Sequence, residues 1–233
     1  MNKQGNTYTI IYIIVMVLVV GAALAFTAMS LRSRQQANAD ADKMRQILAS
    51  VLVTPESGDV IDTYESTVTR SFIVDVQGQE VGGDAFAVNM AEQSKKPALQ
   101  RLLPVYECRV DGGEVKYVLP VYGAGLWGPI WGYVSLDADG TTIYGAYFAH
   151  QGETPGLGAE IEKTAFSSQF EGKHIFKDGR FLPVAVVKAG QKPSGDEDYV
   201  DGISGGTITS KGVSSMLADC LAPYEAYLST LRQ

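Results

Sequence analysis

The sequence predicts an α+β fold: one domain with a mainly antiparallel sheet and flanking helices, attached to a single amino-terminal transmembrane helix. Three features point to it: an apolar run near the amino terminus, short apolar stretches separated by turn signals, and a carboxy-terminal apolar stripe with helical spacing. The 233 residues, 45% hydrophobic and 19% charged, suffice for one sizeable domain plus an anchor. We expect the anchor over residues 1–31 and the domain over residues 32–233.

The anchor is predicted from residues 9–29 (TIIYIIVMVLVVGAALAFTAM), which are almost entirely apolar. About 20 such residues in a helix cross a hydrocarbon core of about 30 Å. A cleavable signal peptide is the alternative, but its apolar region would be shorter and its basic region stronger than Lys3 alone. We therefore expect a retained span. Basic residues follow the span more often than they precede it, and this count alone places the domain in the cytoplasm.

The domain is predicted to begin with a helix over residues 37–53 and to end with an amphipathic helix from Ser210, kinked or restarted at Pro223. Between them, apolar runs bounded by Gly, Asp and Gln predict strands over residues 71–76, 103–110, 115–123, 133–137, 142–149 and 181–187. Residues 189–204 are predicted to form a surface loop. Adjacent hairpins flanked by a few helices are typical of an α+β domain.

Composition excludes several classes of function. The formal net charge of −7 and the lack of a basic cluster argue against a nucleic-acid partner. Cys108 and Cys220 stand in no metal-binding spacing, and the chain has only two histidines, so a Cys/His metal site is not expected. The cysteines fit either a disulfide in an oxidising compartment or two separate buried thiols, and the second arrangement is commoner.

The most distinctive stretch is DGISGGTITSKG, residues 201–212, directly before the final helix. Its paired glycines allow positive φ and close approach of another group, and Thr209 or Ser210 can cap the helix. The unpaired N–H groups at a helix amino terminus suit a phosphate, and the Thr207 hydroxyl would lie beside them. From these residues alone, a capped helix after a flexible loop is the simpler explanation.

Two further segments combine glycines with exposed bulky side chains. GETPGLGAE (residues 152–160) predicts tight turns that present Leu157, although a plain turn between a strand and a helix is the simpler explanation. Its two glutamates lack a partner base for acid–base catalysis. GAGLWGPIWGY (residues 123–133) holds both tryptophans of the chain, which can pack on a flat ring system or anchor a turn in the core. No nucleophile elbow and no Ser–His–Asp order is present.

Together, the motifs GLWGPIWGY (125–133), HQGETPGLGAEI (150–161) and DGISGGTITSKGV (201–213) resemble the NqrC family, the C subunit of the Na+-translocating NADH:quinone reductase. The resemblance covers essentially the whole chain. It implies that FMN is joined to Thr207 by a phosphoester, after a Mg2+-dependent flavin transferase moves FMN from FAD onto the hydroxyl. The attachment pattern here is Asp201, Ser204, Gly205, Gly206 and Thr207, in which Gly206 departs from the usual alanine.

The resemblance also implies the surroundings of the flavin. Thr209 and Ser210 would neighbour the phosphate. The turn that contains Glu153, Thr154, Gly156, Leu157 and Gly158 would approach the isoalloxazine ring, with Leu126 and Trp127 on the opposite side. No side chain would act as a catalytic acid or base, and no metal ligand is expected.

In function, the resemblance implies a flavin that relays single electrons from an iron–sulfur site to another covalent flavin on the B subunit. The A, B, D, E and F subunits would be the partners, in a complex that oxidises NADH, reduces ubiquinone and exports Na+. The domain would lie on the periplasmic side of a bacterial inner membrane, against the charge count. Two alternatives are the G subunit of the related ion-translocating ferredoxin:NAD oxidoreductase and a membrane-anchored assembly or binding protein with no redox role.

Overall fold

The first element of the computed structural model, which describes residues 6–56, 58–110 and 112–232, is one continuous helix, α1 (Asn6–Ser50). The helix predicted over residues 37–53 is confirmed as far as Ser50, but it continues from the apolar run without a break. The helix ends at Ser50, where the Leu52 amide donates to Ala49 O (3.1 Å) and the Val53 amide donates to Leu48 O (3.0 Å). This pair of bonds is a Schellman motif, with Leu52 at positive φ (60°) where glycine is usual.

The chain divides into two compact units after Lys43. In the first unit, α1 contains an apolar stretch whose length and composition suffice to cross a membrane, and none of that stretch is buried. The second unit, from Met44 onward, contains the last turns of α1 and the whole sheet.

The second unit is built on a six-stranded antiparallel sheet in the order β2-β1-β3-β4-β5-β6. Its strands are β1 (Val68–Val74), β2 (Glu80–Val81), β3 (Leu103–Val110), β4 (Glu114–Ala124), β5 (Pro129–Asp137) and β6 (Ile143–His150). The predicted mainly antiparallel sheet is confirmed. The strand predicted over residues 133–137 begins four residues earlier, at Pro129, because a proline without an N–H is tolerated at the start of a strand.

The described part of the chain also contains two small sheets. The pair β7 (Phe176–Lys177) and β8 (Arg180–Phe181) is antiparallel, whereas β9 (Ala185–Val187) and β10 (Tyr199–Asp201) are parallel. The single strand predicted over residues 181–187 is therefore wrong, since residues 182–184, which include Pro183, interrupt it. The loop predicted over residues 189–204 is likewise wrong at its end, where β10 forms.

Among the residues that the structure describes, five further helices flank the sheet: α2 (Val60–Thr67), α3 (Met90–Gln93), α4 (Thr164–Ser167), α5 (Thr207–Leu221) and α6 (Glu225–Leu231). Short 3₁₀ segments occupy Ala98–Gln100, Gly158–Glu162, Ser168–Phe170 and Ala222–Tyr224. The kink predicted at Pro223 is confirmed, because the 3₁₀ segment that contains it separates α5 from α6.

The sheet buries a cluster of apolar side chains on each face. Alternate residues of β3 divide between them: Leu103 and Val105 face the larger cluster with α5 and α6, whereas Tyr106 and Cys108 face the smaller one with the end of α1. Cys220 belongs to the larger cluster, so the sheet separates the two cysteines. Both thiols are free and buried, which agrees with the commoner of the two arrangements considered from the sequence.

Helix α5 begins at Thr207, three residues earlier than predicted. Gly206 precedes it and supplies no side-chain cap. The prediction that Thr209 or Ser210 caps the helix is therefore wrong, since both lie in its first turn. This shift places Thr207 at the first helical position instead of ahead of the helix.

Candidate functional site

Three segments distant in sequence converge on one cleft of about 410 Å³. They are the β4–β5 turn, the turn after β6, and the loop leading into α5. The lining consists of Leu126, Trp127, Glu153, Thr154, Leu157, Gly158, Gly205, Gly206, Thr207, Ile208 and Thr209. A cleft of this size falls within the usual range for small-molecule and cofactor sites.

The antiparallel register of the sheet explains why the first two segments meet. Ile130 at the start of β5 pairs with His150 at the end of β6, so the turns next to these residues lie at the same end of the sheet. The β4–β5 turn is closed by a hydrogen bond from the Gly125 amide to Gly128 O (2.8 Å). Leu126 and Trp127 lie at its tip.

Glu153 joins all three segments. Its side chain is buried, at 5% exposure, and its carboxylate Oε2 accepts a hydrogen bond from Thr209 Oγ1 (2.5 Å) on α5. Its Oε1 accepts from the Trp127 amide (2.8 Å) in the β4–β5 turn. Its own amide donates to His150 Nδ1 (3.1 Å) at the end of β6. One buried carboxylate therefore bonds to the β4–β5 turn and to α5, and its backbone is fixed to the sheet.

These donors determine the charge of Glu153. Burial acts to raise its pKa, but the Thr209 hydroxyl, the Trp127 and Leu126 amides and the nearby His150 outweigh burial and hold the pKa below its ordinary value. At neutral pH the cleft therefore contains a buried negative charge.

Exposed apolar side chains surround this buried charge. Trp127 is 69% exposed, Ile208 57%, Leu126 48% and Leu157 42%. Four large apolar side chains grouped around one cleft and open to solvent indicate a surface that a ligand or a partner covers. Three of them stand out from the sequence alone. Ile208 was missed, although an isoleucine between two threonines at a helix start is a usable signal.

Thr207 lies where α5 meets the cleft. It is exposed and is the first residue of the helix, so the free N–H groups of the first turn surround it. The loop before it depends on Gly205, which has φ of 74° and whose added Cβ would lie 2.6 Å from Leu157 Cδ2. A larger residue at position 205 would therefore strain the backbone and collide with Leu157 at the cleft.

The structure gives the other predicted site residues different positions. The Thr209 and Ser210 side chains are buried, and Ser210 Oγ accepts from the Ile203 amide (2.9 Å), so both hydroxyls bond to protein groups. Ser204 and Gly156 are exposed but do not line the cleft. Asp201 is exposed at the end of β10, where its Oδ1 accepts from the Gly190 amide (3.2 Å).

Comparison with known proteins first defines the class. Residues 125–222 match the model of the FMN-binding domain, which spans all three segments of the cleft. The cleft therefore belongs to a domain of the FMN-binding class.

Relatives over the full length define the family. The chain is 35% identical over 228 residues to the C subunit of the Na(+)-translocating NADH-quinone reductase of Vibrio anguillarum, covering 91% of this chain and 89% of the relative. It is 31% identical to the protein of the same name from Pseudomonas aeruginosa, covering 100% of this chain and 98% of the relative. The chain belongs to the NqrC family, the C subunits of the Na+-translocating NADH-quinone reductase, as its three motifs predicted.

Solved structures agree. The crystal structure of the C subunit from Parabacteroides distasonis matches with a TM-score of 0.80 and 51% identity, over 85% of this chain and 97% of that one. The crystal structure of Shewanella oneidensis NqrC matches with a TM-score of 0.70 and 25% identity, over 84% and 99%. Because these relatives are C subunits of the quinone reductase, the resemblance to NqrC is confirmed over the G subunit of the ferredoxin-dependent complex.

Proposed function

We propose that this protein carries FMN in the cleft at the start of α5, joined to Thr207 by a phosphoester, as the NqrC subunit of a Na+-translocating NADH:quinone reductase. The observation that carries the proposal is the position of Thr207. Thr207 is the exposed first residue of α5 and lies beside four exposed apolar side chains. The domain that contains it is of the FMN-binding class.

The phosphate end of FMN fits the start of α5. A phosphate on Thr207 Oγ would meet the unpaired N–H groups of the first helical turn, which favour negative charge. Attachment forms an Oγ–P bond while a flavin transferase breaks the pyrophosphate of FAD, and AMP leaves with the hydroxyl proton passing to solvent. Gly205 and Gly206 keep side chains away from this hydroxyl.

The ring end of FMN fits the apolar rim. Leu157 would pack on the isoalloxazine ring, and Leu126 and Trp127 would cover its other side, with Thr154 and Gly158 at the edge. Thr209, Ser210 and Glu153 hold these segments together. Ser204, Gly156 and Asp201 lie outside the lining, which suits support of the loop and recognition by the flavin transferase.

Bound FMN supplies one-electron transfer, and the chain's residues hold it, orient it and shield it from water. We place the protein between an iron–sulfur site, as donor, and a covalent flavin on the B subunit, as acceptor, within a complex that also contains the A, D, E and F subunits. The whole complex would couple NADH oxidation and ubiquinone reduction to Na+ export. In a reconstituted complex, Thr207→Ala should abolish quinone reduction by NADH but leave NADH oxidation by an artificial acceptor.

Co-expression with a flavin transferase tests the attachment. The wild-type chain should give a fluorescent band on a denaturing gel, and Thr207→Ala should give an equally abundant dark band. A dark wild-type band would refute the covalent link and favour the non-redox assembly protein. Fluorescence that survives Thr207→Ala would refute the site.

We further propose that α1 is retained as a single span and that the domain lies on the periplasmic face of the bacterial inner membrane. The support is membership of the family, set against the basic residues that follow the span. Fusion of a reporter active only in the cytoplasm to the carboxy terminus tests the side. Strong reporter activity would refute periplasmic placement.

A further inference from the structure

We propose that Glu153 is a positioning residue that holds the β4–β5 turn and α5 together across the flavin site and places a negative charge in the lining of the cleft. The inference rests on the proposed function only where it concerns flavin. Glu153 need not touch FMN for this role, because its carboxylate is occupied by protein donors.

Glu153 connects the two ends of the site. Thr209 lies two residues after the attachment residue Thr207, and Trp127 belongs to the ring-covering turn. One carboxylate accepts from both, at 2.5 Å from Thr209 Oγ1 and 2.8 Å from the Trp127 amide. A single side chain therefore links the phosphate end of the site to the ring wall, in addition to the packing of α5 on β4.

Glu153 is itself held by the main sheet. Its amide donates to His150 Nδ1 (3.1 Å), and His150 is the final residue of β6. The His150 amide and ring both face Glu162 Oε1, at 3.4 Å and 3.6 Å. The hydrogen bond to His150 therefore anchors Glu153 to the end of β6 in the main sheet.

The space around the carboxylate is also restricted. A Cβ added to Gly125 would lie 2.5 Å from Glu153 Oε1, and one added to Gly158 would lie 2.5 Å from Thr209 Oγ1. The backbone at these two glycines therefore lies against the carboxylate and its hydrogen-bond partner from two sides. A hydrogen bond to a charged acceptor in such a site is stronger than one to a neutral acceptor.

Substitution can separate the two roles of Glu153: the hydrogen-bonded link between the β4–β5 turn and α5, called the tie below, and the negative charge. In Glu153→Gln, the amide oxygen can accept from the Trp127 amide while its NH₂ group donates to Thr209 Oγ1, whose hydroxyl reverses its role. The tie survives and the charge is lost. Glu153→Ala loses both, and Thr209→Val loses only the α5 half of the tie.

The test has one arm without flavin. Hydrogen exchange is measured on the full-length chain in detergent, expressed without a flavin transferase, for the peptide covering residues 125–128. Exchange should quicken at least about tenfold in Glu153→Ala, since a hydrogen bond to a charged group is lost, and by about fivefold or less in Glu153→Gln, which keeps a weaker hydrogen bond to a neutral acceptor. Glu171→Gln, an exposed glutamate outside the cleft, is the control for net charge and should match wild type.

The second arm uses the flavinylated chain. Flavin fluorescence anisotropy should fall in Glu153→Ala and in Thr209→Val, because the ring wall is no longer held against α5. Glu153→Gln should keep the wild-type anisotropy but shift the flavin midpoint potential to a more positive value, since removal of a nearby negative charge favours the reduced, electron-rich ring.

Unchanged exchange at residues 125–128 in a folded Glu153→Ala would overturn the positioning role. So would exchange in Glu153→Gln as fast as in Glu153→Ala. If Glu153→Ala does not fold, the other two variants test the proposal. Unchanged anisotropy in Thr209→Val, or an unchanged flavin potential in Glu153→Gln, would contradict it. A wild-type chain that carries no flavin would refute the proposed function, while the exchange arm would still judge the role of Glu153.

Discussion

Replacement of Gly158 by alanine tests the closeness of packing at the centre of the site. The new Cβ would lie 2.5 Å from Thr209 Oγ1 and closer still to Glu153 Oε2, the two atoms joined by the buried hydrogen bond. Both side chains are buried, since Glu153 is 5% and Thr209 1% exposed, so neither atom can move away into solvent. The substitution must therefore push the hydrogen-bonded pair apart or shift the turn.

The expected loss of stability in Gly158→Ala has two contributions. Overpacking a close-packed site costs about 1–3 kcal/mol. Weakening a hydrogen bond to a charged group removes part of a further ~1.5–3 kcal/mol. We expect Gly158→Ala to lower the free energy of unfolding by about 2–4 kcal/mol.

The same turn supplies two matched controls. Gly152 has open space around its Cβ position and no positive φ, so Gly152→Ala should stay within about 0.5 kcal/mol of wild type. Gly156 also has open space but φ of 74°, so Gly156→Ala should cost about 1–2 kcal/mol from backbone strain alone.

Urea unfolding of the full-length chain in detergent, followed by tryptophan fluorescence, measures all three variants. Gly158→Ala should be the least stable of them. A stability equal to that of Gly152→Ala would show that the Glu153–Thr209 contact is looser than the structure has it, and would refute the expected overpacking.

Three further predictions concern the same domain. Thr209→Val should cost about 1.5–3 kcal/mol in urea unfolding, because it leaves Glu153 Oε2 without its donor; a change below about 0.5 kcal/mol would contradict this. Folding lowers the pKa of Glu153, so the ionised carboxylate adds to the free energy of unfolding. This stabilisation should be complete above the pKa of the unfolded chain, about 4.3, and should disappear as the pH falls through the lower pKa of the folded chain. The difference in stability between wild type and Glu153→Gln should therefore shrink in acid. A gap that is constant with pH would oppose this. Burial raises the pKa of the Cys108 thiol to about 12, so iodoacetamide should label neither Cys108 nor Cys220 before unfolding and both afterwards; native labelling or a disulfide would be inconsistent with the fold.

The sequence predicted the sheet well, because period-2 alternation and turn residues are local signals. The strand over residues 103–110 matches β3 at both ends. Local signals failed where tertiary context decides. The end of α1 at Leu52 has no glycine to mark it, and β10 forms in a polar stretch because β9 lies alongside it.

The candidate site divides in the same way. Thr207, Leu157 and Trp127 stand out as hydroxyl or bulky apolar residues among glycines, and the resemblance to NqrC assigned them roles at the flavin; the structure places all three at one cleft. Thr209 and Glu153 were placed beside the cofactor by the resemblance alone. Their actual contact joins residues 56 positions apart, and no spacing pattern in one sequence reveals such a pair.

The intact mass of the full-length chain, purified after co-expression with a flavin transferase and measured in denaturant, tests the central proposal most directly. The wild type should exceed its polypeptide mass by one FMN less one water, and Thr207→Ala should show the polypeptide mass alone. A wild-type chain of bare polypeptide mass, or the same added mass on Thr207→Ala, would contradict the assignment of Thr207 as the point where the flavin is held.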